Sequence, residues 1–151
     1  MIRPAKPADI PEVRAMLREY VAWIELDLAF QEIETEIANL PGEYQPPGGV
    51  LLVAEDGHRL IGMVALRQFE GAIGEMKRLF VRADARGHGL ATDLVNHVID
   101  EARHRNYAEI RLDTLPMMTS AQSLYESFGF EDIEPYYQTP IAGTRFMALR
   151  L

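Results

Sequence analysis

The chain has 151 residues, enough for one domain that buries a core without disulfides or metal ions. Acidic residues outnumber basic ones by 23 to 15, and the net charge of −8 argues against binding to nucleic acid or to anionic membranes. The absence of cysteine excludes disulfides, thiolate metal ligands and a thiol nucleophile. No apolar run approaches the roughly 20 residues of a membrane span, and the N-terminus lacks the apolar segment of a secretory signal. We therefore expect a single soluble, cytoplasmic domain over residues 1–151.

The first half of the chain predicts a short strand, two helices and three further strands. A capped helix start is indicated by Asp9, followed by Pro11 and by Glu12 three residues after Asp9. The turn signal Asp56-Gly57-His58-Arg59 predicts a hairpin within an antiparallel meander. From the hydrophobic period, the predicted bounds are Met1–Arg3 for the first strand, Ile10–Ile24 and about Ala29–Leu40 for the helices, and Val50–Glu55, Leu60–Phe69 and Ala72–Val81 for the meander.

The second half alternates between helical and extended patterns. The predicted bounds are a helix from about Gly89 to Ala102, a strand at Ala108–Thr114, a helix at Thr119–Phe128, and strands at Phe130–Ile133 and Arg145–Leu149. This order of elements predicts an α+β domain with a mixed sheet of six or seven strands and helices on its faces, rather than repeated βαβ units.

The loop between the third meander strand and the next helix carries the strongest functional signal. It reads Arg86-Gly-His-Gly-Leu-Ala91. The first amides of a helix have no intrahelical acceptor, and small residues let an anion approach them, so the loop predicts a phosphate or pyrophosphate site; a plain glycine-containing turn is the alternative. A Walker A loop would require Gly-Lys-Ser/Thr, and a dinucleotide-binding fingerprint would require Gly or Ala where Thr92 stands.

Two motifs resemble those of the GNAT superfamily of acyl-CoA-dependent N-acetyltransferases. Arg86–Ala91 is similar to its Arg/Gln-x-x-Gly-x-Gly/Ala motif, and Leu124-Tyr125-Glu-Ser-Phe-Gly129-Phe130 is similar to its Leu-Tyr-x-x-x-Gly-Phe motif. The predicted element order also resembles that of the family over essentially the whole chain. The segment from Glu75 to Val81 and the C-terminal residues Pro135-Tyr-Tyr and Phe146-Met further resemble a mostly uncharacterised bacterial subgroup of the superfamily. The resemblance implies a central, mostly antiparallel mixed sheet of six or seven strands with helices on both faces.

The resemblance implies acetyl-CoA as cosubstrate. Its pantetheine arm would lie along the strand end at Leu79, Phe80 and Val81. Its pyrophosphate would lie on the loop and helix start, which comprise Arg86, Gly87, His88, Gly89, Leu90, Ala91 and Thr92. The implied reaction is direct attack of a primary amine on the thioester in a ternary complex. We expect no metal, because the four histidines do not show the spacing of metal ligands.

Two residues match catalytic positions of the family. Tyr125 corresponds to the tyrosine that members often use to protonate the leaving thiolate; a core aromatic is the alternative. Glu75 corresponds to a base in some members, and an ion pair with Lys77 or Arg78 is the alternative for it. Strand alternation puts Glu75 and Lys77 on the same face as Leu79 unless a bulge intervenes.

Other positions leave the base and the acceptor open. Asp113 or a water molecule is a further candidate base, and Met118 stands where many members carry a cofactor-contacting Asn. The aromatic pairs Tyr20 and Trp23, and Tyr136 and Tyr137, either line the acceptor pocket or pack in the core.

We expect the acceptor to be a small metabolite or an amino-acid-like amine, and Lys77 and Arg78 would suit one that carries a carboxylate. A protein N-terminus or lysine as the acceptor, and a non-catalytic acyl-CoA sensor, are the alternatives. The resemblance also makes a homodimer possible.

Overall fold

A computed structural model describes residues 1–27 and 32–151. Within these residues the strands are β1 (Ile2–Pro4), β2 (Val50–Asp56), β3 (Arg59–Glu70), β4 (Ile73–Val81), β5 (Glu109–Thr114), β6 (Glu131–Asp132) and β7 (Arg145–Arg150). The helices are α1 (Ile10–Ile24), α2 (Ile33–Asn39), α3 (Leu90–His104) and α4 (Thr119–Ser127), with single 3₁₀ turns at Pro7–Asp9 and Ala83–Ala85. No helix in these two ranges is long and apolar enough to cross a bilayer.

The strands form one mixed sheet in the order β1-β2-β3-β4-β5-β7-β6. Neighbouring strands are antiparallel except β4 and β5, which run parallel. The predicted α+β class and the mostly antiparallel sheet of up to seven strands are therefore confirmed. The hairpin is confirmed as well, because β2 ends at Asp56 and β3 begins at Arg59.

Three local predictions differ from the structure. The second helix begins at Ile33; Ala29 and Phe30, in its predicted first turn, lie outside the described residues. The penultimate strand shrinks to Glu131–Asp132. The predicted capping box at the start of α1 is wrong, because the Asp9 carboxylate instead binds the Arg3 guanidinium and the Lys6 amide, each at 2.7 Å.

Helices cover both faces of the sheet, and alternate residues of each strand contribute to the apolar cores on opposite faces. Leu51 and Val53 point to the face covered by α1 and α2, while Leu52 and Ala54 point to the face covered by α3 and α4. Each fully buried leucine contributes roughly 1.5–3 kcal/mol to folding. The two apolar clusters fix the position of β4, which runs between them.

The sheet parts between β4 and β5. Their register joins Ile73–Glu75 only to Glu109–Arg111, and no pairing continues toward Val81. The second half of β4 therefore has β3 on one side and a gap on the other. This gap is the feature of the fold that creates the site described below.

A β-bulge at Arg78 reorients the side chains of β4. Lys77 pairs with Ala65 and Phe80 with Met63, so two residues of β4 oppose one of β3, and Arg78 has a left-handed φ of 61°. As a result Arg78, like Lys77 before it, faces α2, while Leu79 packs with the α3 and α4 cluster. Simple alternation, which placed Leu79 on the face of Glu75 and Lys77, is wrong here because the bulge shifts the alternation by one residue.

Candidate active site

The glycine-containing loop opens directly onto the start of α3. Gly87 and Gly89 have φ values of 85° and 78°, a region that favours glycine. The first backbone hydrogen bond of the helix runs from the Asp93 N–H to the Gly89 carbonyl, at 3.1 Å. The amides of Leu90, Ala91 and Thr92 therefore have no intrahelical acceptor.

The space in front of these amides is open. A Cβ atom added to Gly87 or Gly89 would meet no heavy atom within 4 Å, and His88 is exposed, as expected of a loop side chain facing solvent. Free amides, the positive end of the helix dipole and open space together suit a phosphate group.

The end of β4 presents an open strand edge to the gap. The Arg82 N–H donates to the Ile61 carbonyl of β3, so the backbone groups of the preceding residue, Val81, face away from β3. The Val81 carbonyl instead accepts a hydrogen bond from Arg86 Nε at 2.9 Å. The Arg86 guanidinium also lies 5.4 Å from the centre of the Trp23 ring, which joins the loop to α1.

A central cleft occupies the gap, with walls from α1, β4, β5 and α4. Tyr125 of α4 lines it and is only 6% exposed. Its hydroxyl has no hydrogen-bond partner in the described parts of the chain, yet it is not a fully buried atom, so it opens toward the cleft. Burial raises the pKa of Tyr125, and the phenol is therefore protonated at neutral pH.

Asp113 of β5 lines the same central cleft as Tyr125. Its Oδ2 atom accepts a hydrogen bond from the Tyr137 hydroxyl at 2.6 Å. Met118 also lines this wall, and the Thr114 hydroxyl lies 3.8 Å from its sulfur. The central cleft thus brings together a proton donor, a carboxylate and apolar wall residues.

Glu75 lies beneath the surface and outside the walls of this cleft. It is 1% exposed, and both of its oxygens are engaged, with Arg67 Nε at 2.8 Å and with the Tyr136 hydroxyl at 2.7 Å. The alternative ion pair with Lys77 or Arg78 is wrong; Arg67, the neighbour across the β3–β4 pair, is the partner.

A lateral cleft lies between α2, residues 41–44 and β4, with a volume of about 260 Å³. Its basic residues are Arg67, Lys77 and Arg78, and Lys77 and Arg78 also line the central cleft. Burial lowers the pKa of Lys77, and the adjacent Arg78 acts in the same direction. The two clefts therefore meet at Lys77 and Arg78.

Sequence reasoning missed two residues of the site. Glu36 holds Arg78 with two hydrogen bonds, at 2.8 and 2.9 Å, and no motif marks it. Arg67 could have been identified from the sequence. It and Glu75 are equidistant from the turn at Gly71, which predicts that the two residues pair across the hairpin.

Tyr20 and Trp23 both lie on the wall of the central cleft, although Tyr20 is also part of the core. Tyr136 and Tyr137 touch the two candidate carboxylates rather than line either cleft. Only Tyr20 therefore combines the two alternatives: Trp23 lines the cleft and is exposed, and Tyr136 and Tyr137 pack against the buried Phe146.

Comparison with known proteins decides the family. The model of the acetyltransferase (GNAT) family matches residues 11–130. The chain belongs to the GNAT family. An uncharacterized N-acetyltransferase of Schizosaccharomyces pombe is 40% identical over 147 residues, which cover 96% of this chain and 90% of that protein.

Solved GNAT structures share the fold. A GNAT acetyltransferase from Staphylococcus aureus superposes with a TM-score of 0.82 at 22% identity, covering 99% of this chain and 98% of the other. A PaiA N-acetyltransferase from Thermoplasma acidophilum, solved in complex with coenzyme A, superposes with a TM-score of 0.79 at 16% identity, covering 100% and 98%. This GNAT protein is accordingly an acyl-CoA-dependent N-acetyltransferase.

Proposed function

We propose that the protein transfers the acetyl group of acetyl-CoA to the primary amine of a small, amino-acid-like acceptor. The observation that carries the proposal is the parting of β4 from β5. The unpaired edge of β4 runs from the central cleft, which Tyr125 lines, to Val81, whose carbonyl binds Arg86 of the loop before α3. The lateral cleft volume of about 260 Å³ is near the lower end, about 300 Å³, of pockets for small molecules.

The residues present fit coenzyme A. The loop from Arg86 to Gly89 and the amides of Leu90 to Thr92 would hold the pyrophosphate, and the edge formed by Leu79–Val81 would pair with the amides of the pantetheine arm. The T. acidophilum relative, which binds coenzyme A, supports this assignment. Arg86 occupies one of the two acceptor positions of the Val81 carbonyl, so an amide of the pantetheine arm would share this oxygen with Arg86 or displace it. When bound, acetyl-CoA supplies the activated acetyl thioester.

The chain's own residues then position the reactants and move protons. Holding both reactants in one cleft is worth on the order of 10⁵–10⁸ M in effective molarity. The Leu79 segment would donate a backbone N–H to the acetyl carbonyl, and Tyr125 would donate its proton to the departing sulfur. Direct attack by the amine needs no acyl-enzyme, and the chain has no cysteine to form a thioester.

Glu75, Asp113 and water are the candidates for the base that receives the amine proton. Asp113 shares the cleft wall with Tyr125, whereas Glu75 would have to act through the Tyr136 hydroxyl. We compare Glu75→Gln with Asp113→Asn: the variant with the larger fall in kcat identifies the base, and an equal, small fall in both identifies water.

The first experiment measures thermal unfolding with acetyl-CoA, with coenzyme A and with neither, followed by thiol release with a panel of amines. A ligand at 100 times its Kd stabilises the native state by about 2.7 kcal/mol. Tyr125→Phe should keep this stabilisation and the wild-type melting temperature, because its hydroxyl has no described partner to lose, while kcat falls about 10²–10⁴-fold. Absence of stabilisation at saturating coenzyme A would refute the proposal.

The comparisons assign the chain to a family of N-acetyltransferases, and Met118 is the feature that favours the alternative of a non-catalytic acyl-CoA sensor. A thioether lines the central cleft at the position where many members carry an asparagine. A sensor would show the stabilisation by coenzyme A but no thiol release with any amine or peptide. Transfer to peptides alone would instead indicate a protein N-terminus or lysine as the acceptor.

A further inference from the structure

The three basic residues of the lateral cleft, Arg67, Lys77 and Arg78, differ in how their charges are balanced. Arg67 binds Glu43 at 2.6 Å and Glu75 at 2.8 Å. Arg78 forms its two hydrogen bonds with Glu36. Both guanidinium groups are therefore neutralised inside the protein, and neither has its charge available for a ligand.

Lys77 is the exception among these three residues. It is half-buried, and within residues 1–27 and 32–151 it forms neither a salt bridge nor a side-chain hydrogen bond. Its ammonium is not among the fully enclosed polar atoms without partners, so it can be reached from the clefts. A cation partly removed from water and without a counter-charge is unfavourable, and a bound anion would relieve that cost.

We propose that Lys77 binds the carboxylate of the acceptor, so that the substrates of this enzyme are amines that also carry a carboxylate, amino acids above all. The inference rests on the proposed transferase function and narrows its acceptor. Lys77 lies where the central and lateral clefts meet. A carboxylate held there lets the amine reach the wall formed by Asp113 and Tyr125, while the rest of the acceptor occupies the lateral cleft.

The charge pattern around the lateral cleft supports an anchor at this point rather than elsewhere. Of the three acidic residues that line the cleft, Glu36 and Glu43 are bound to the two arginines, and Glu32 is solvent-exposed. The longer-range acids that act on Lys77 are Glu75 and Asp113, and neither comes within salt-bridge distance of it. An acceptor carboxylate would therefore be the first direct counter-charge that Lys77 meets.

The test compares acceptors that differ only in the carboxylate. Free amino acids and their carboxamides are assayed with the wild-type protein, Lys77→Met and Lys77→Arg. Lys6→Met, at the chain's other lysine, which is exposed, is the matched control. Thermal stabilisation by coenzyme A is measured for every variant, so that a folding defect is seen directly; Lys77→Gln replaces Lys77→Met if the latter does not fold.

We expect the wild-type protein to prefer the acid over its amide. Lys77→Met should reduce kcat/KM for the acid about 10- to 100-fold, the range for one charge-assisted hydrogen bond, mainly through KM. Activity on the amide and stabilisation by coenzyme A should stay within about twofold, and Lys77→Arg should recover part of the loss because it keeps the cation.

Two results would overturn the inference while leaving the transferase function intact. One is wild-type transfer that favours amides, uncharged amines or peptides; the other is an equal loss on acids and amides in Lys77→Met. A wild-type protein that acetylates no amine, whether or not it binds coenzyme A, would refute the proposed function itself, and the inference with it.

Discussion

The buried pair of Arg78 and Glu36 is predicted to be the most sensitive electrostatic contact near the site. The two side chains are 5% and 19% exposed and share two hydrogen bonds. Removing one partner from a buried ion pair costs roughly 3–5 kcal/mol, because the other charge is left uncompensated. Glu36→Gln keeps the side-chain length and one acceptor oxygen, so we expect a loss at the lower end of this range, about 3 kcal/mol in the free energy of unfolding. At 2–4 °C per kcal/mol, this corresponds to a fall of about 6–12 °C in melting temperature.

The same pair predicts how the loss depends on pH. Burial of Glu36 opposes its ionisation, but the hydrogen bonds and charge of Arg78 outweigh it and hold the pKa of Glu36 below its usual range. A carboxyl whose pKa is lower in the folded than in the unfolded state stabilises the protein at every pH above its unfolded-state pKa, about 4.3. This stabilisation is lost as the pH falls through the folded-state pKa. The difference in the free energy of unfolding between the wild-type protein and Glu36→Gln should therefore be constant from about pH 6 to 8 and shrink below about pH 4.

Urea unfolding followed by circular dichroism measures both effects. Glu36→Leu combined with Arg78→Met is the companion variant, and it should recover most of the stability because no lone charge remains. The reasoning fails if Glu36→Gln loses less than about 1 kcal/mol at neutral pH, if the loss is undiminished in acid, or if the double variant is as unstable as the sum of its parts.

Three further predictions use other features of the molecule. Gly49→Ala should lower the melting temperature far more than Gly57→Ala, because its Cβ would overlap the backbone carbonyl oxygens of Glu43 and Leu66. Gly57 faces open space, and its substitution costs only about 1–2 kcal/mol through the positive φ. Similar losses in the two variants would contradict this prediction. Binding of coenzyme A should change the fluorescence of Trp23, the sole tryptophan, because the ligand would bind beside Arg86, whose guanidinium lies over the indole ring. Unchanged emission in a titration that shows thermal stabilisation would contradict this prediction. Tyr137→Phe should reduce kcat by about tenfold if Asp113 is the base, because the variant loses the 2.6 Å hydrogen bond that orients the carboxylate. An unchanged kcat and an unchanged pH–rate profile would contradict this prediction.

Patterns local in sequence predicted most of the fold. The helix predicted from about Gly89 begins at Leu90, and the strand predicted at Ala108–Thr114 begins at Glu109. Helical and extended periods are properties of neighbouring residues, so they can be identified without the rest of the chain. The loop of the site belongs to this group, because its glycines mark backbone conformations that few other residues adopt.

Features that depend on distant contacts were not predictable in the same way. The bulge at Arg78 has no local signal, since arginine does not favour a positive φ; the ion pair with Glu36, far away in sequence, accompanies it. Tyr136 and Tyr137 come from a segment without regular structure, so no period indicated that their hydroxyls would meet Glu75 and Asp113. The catalytic predictions therefore depend on contacts that only the folded chain reveals.

The proposed cofactor and acceptor halves of the site would use different chemistry, and this explains why a sequence motif marks only the first. The cofactor half would rely on backbone groups, which are the free amides at the start of α3 and the open edge of β4. Backbone geometry needs glycines at fixed positions, which leave a motif. The proposed acceptor half would rely on side chains from α1, α2, β4 and β5. Its available charge would be Lys77, because Arg67 and Arg78 are neutralised by glutamates. A single substitution can alter this balance of basic side chains and glutamates without disturbing the cofactor half. The choice of acceptor can therefore change while the fold and the reaction stay the same.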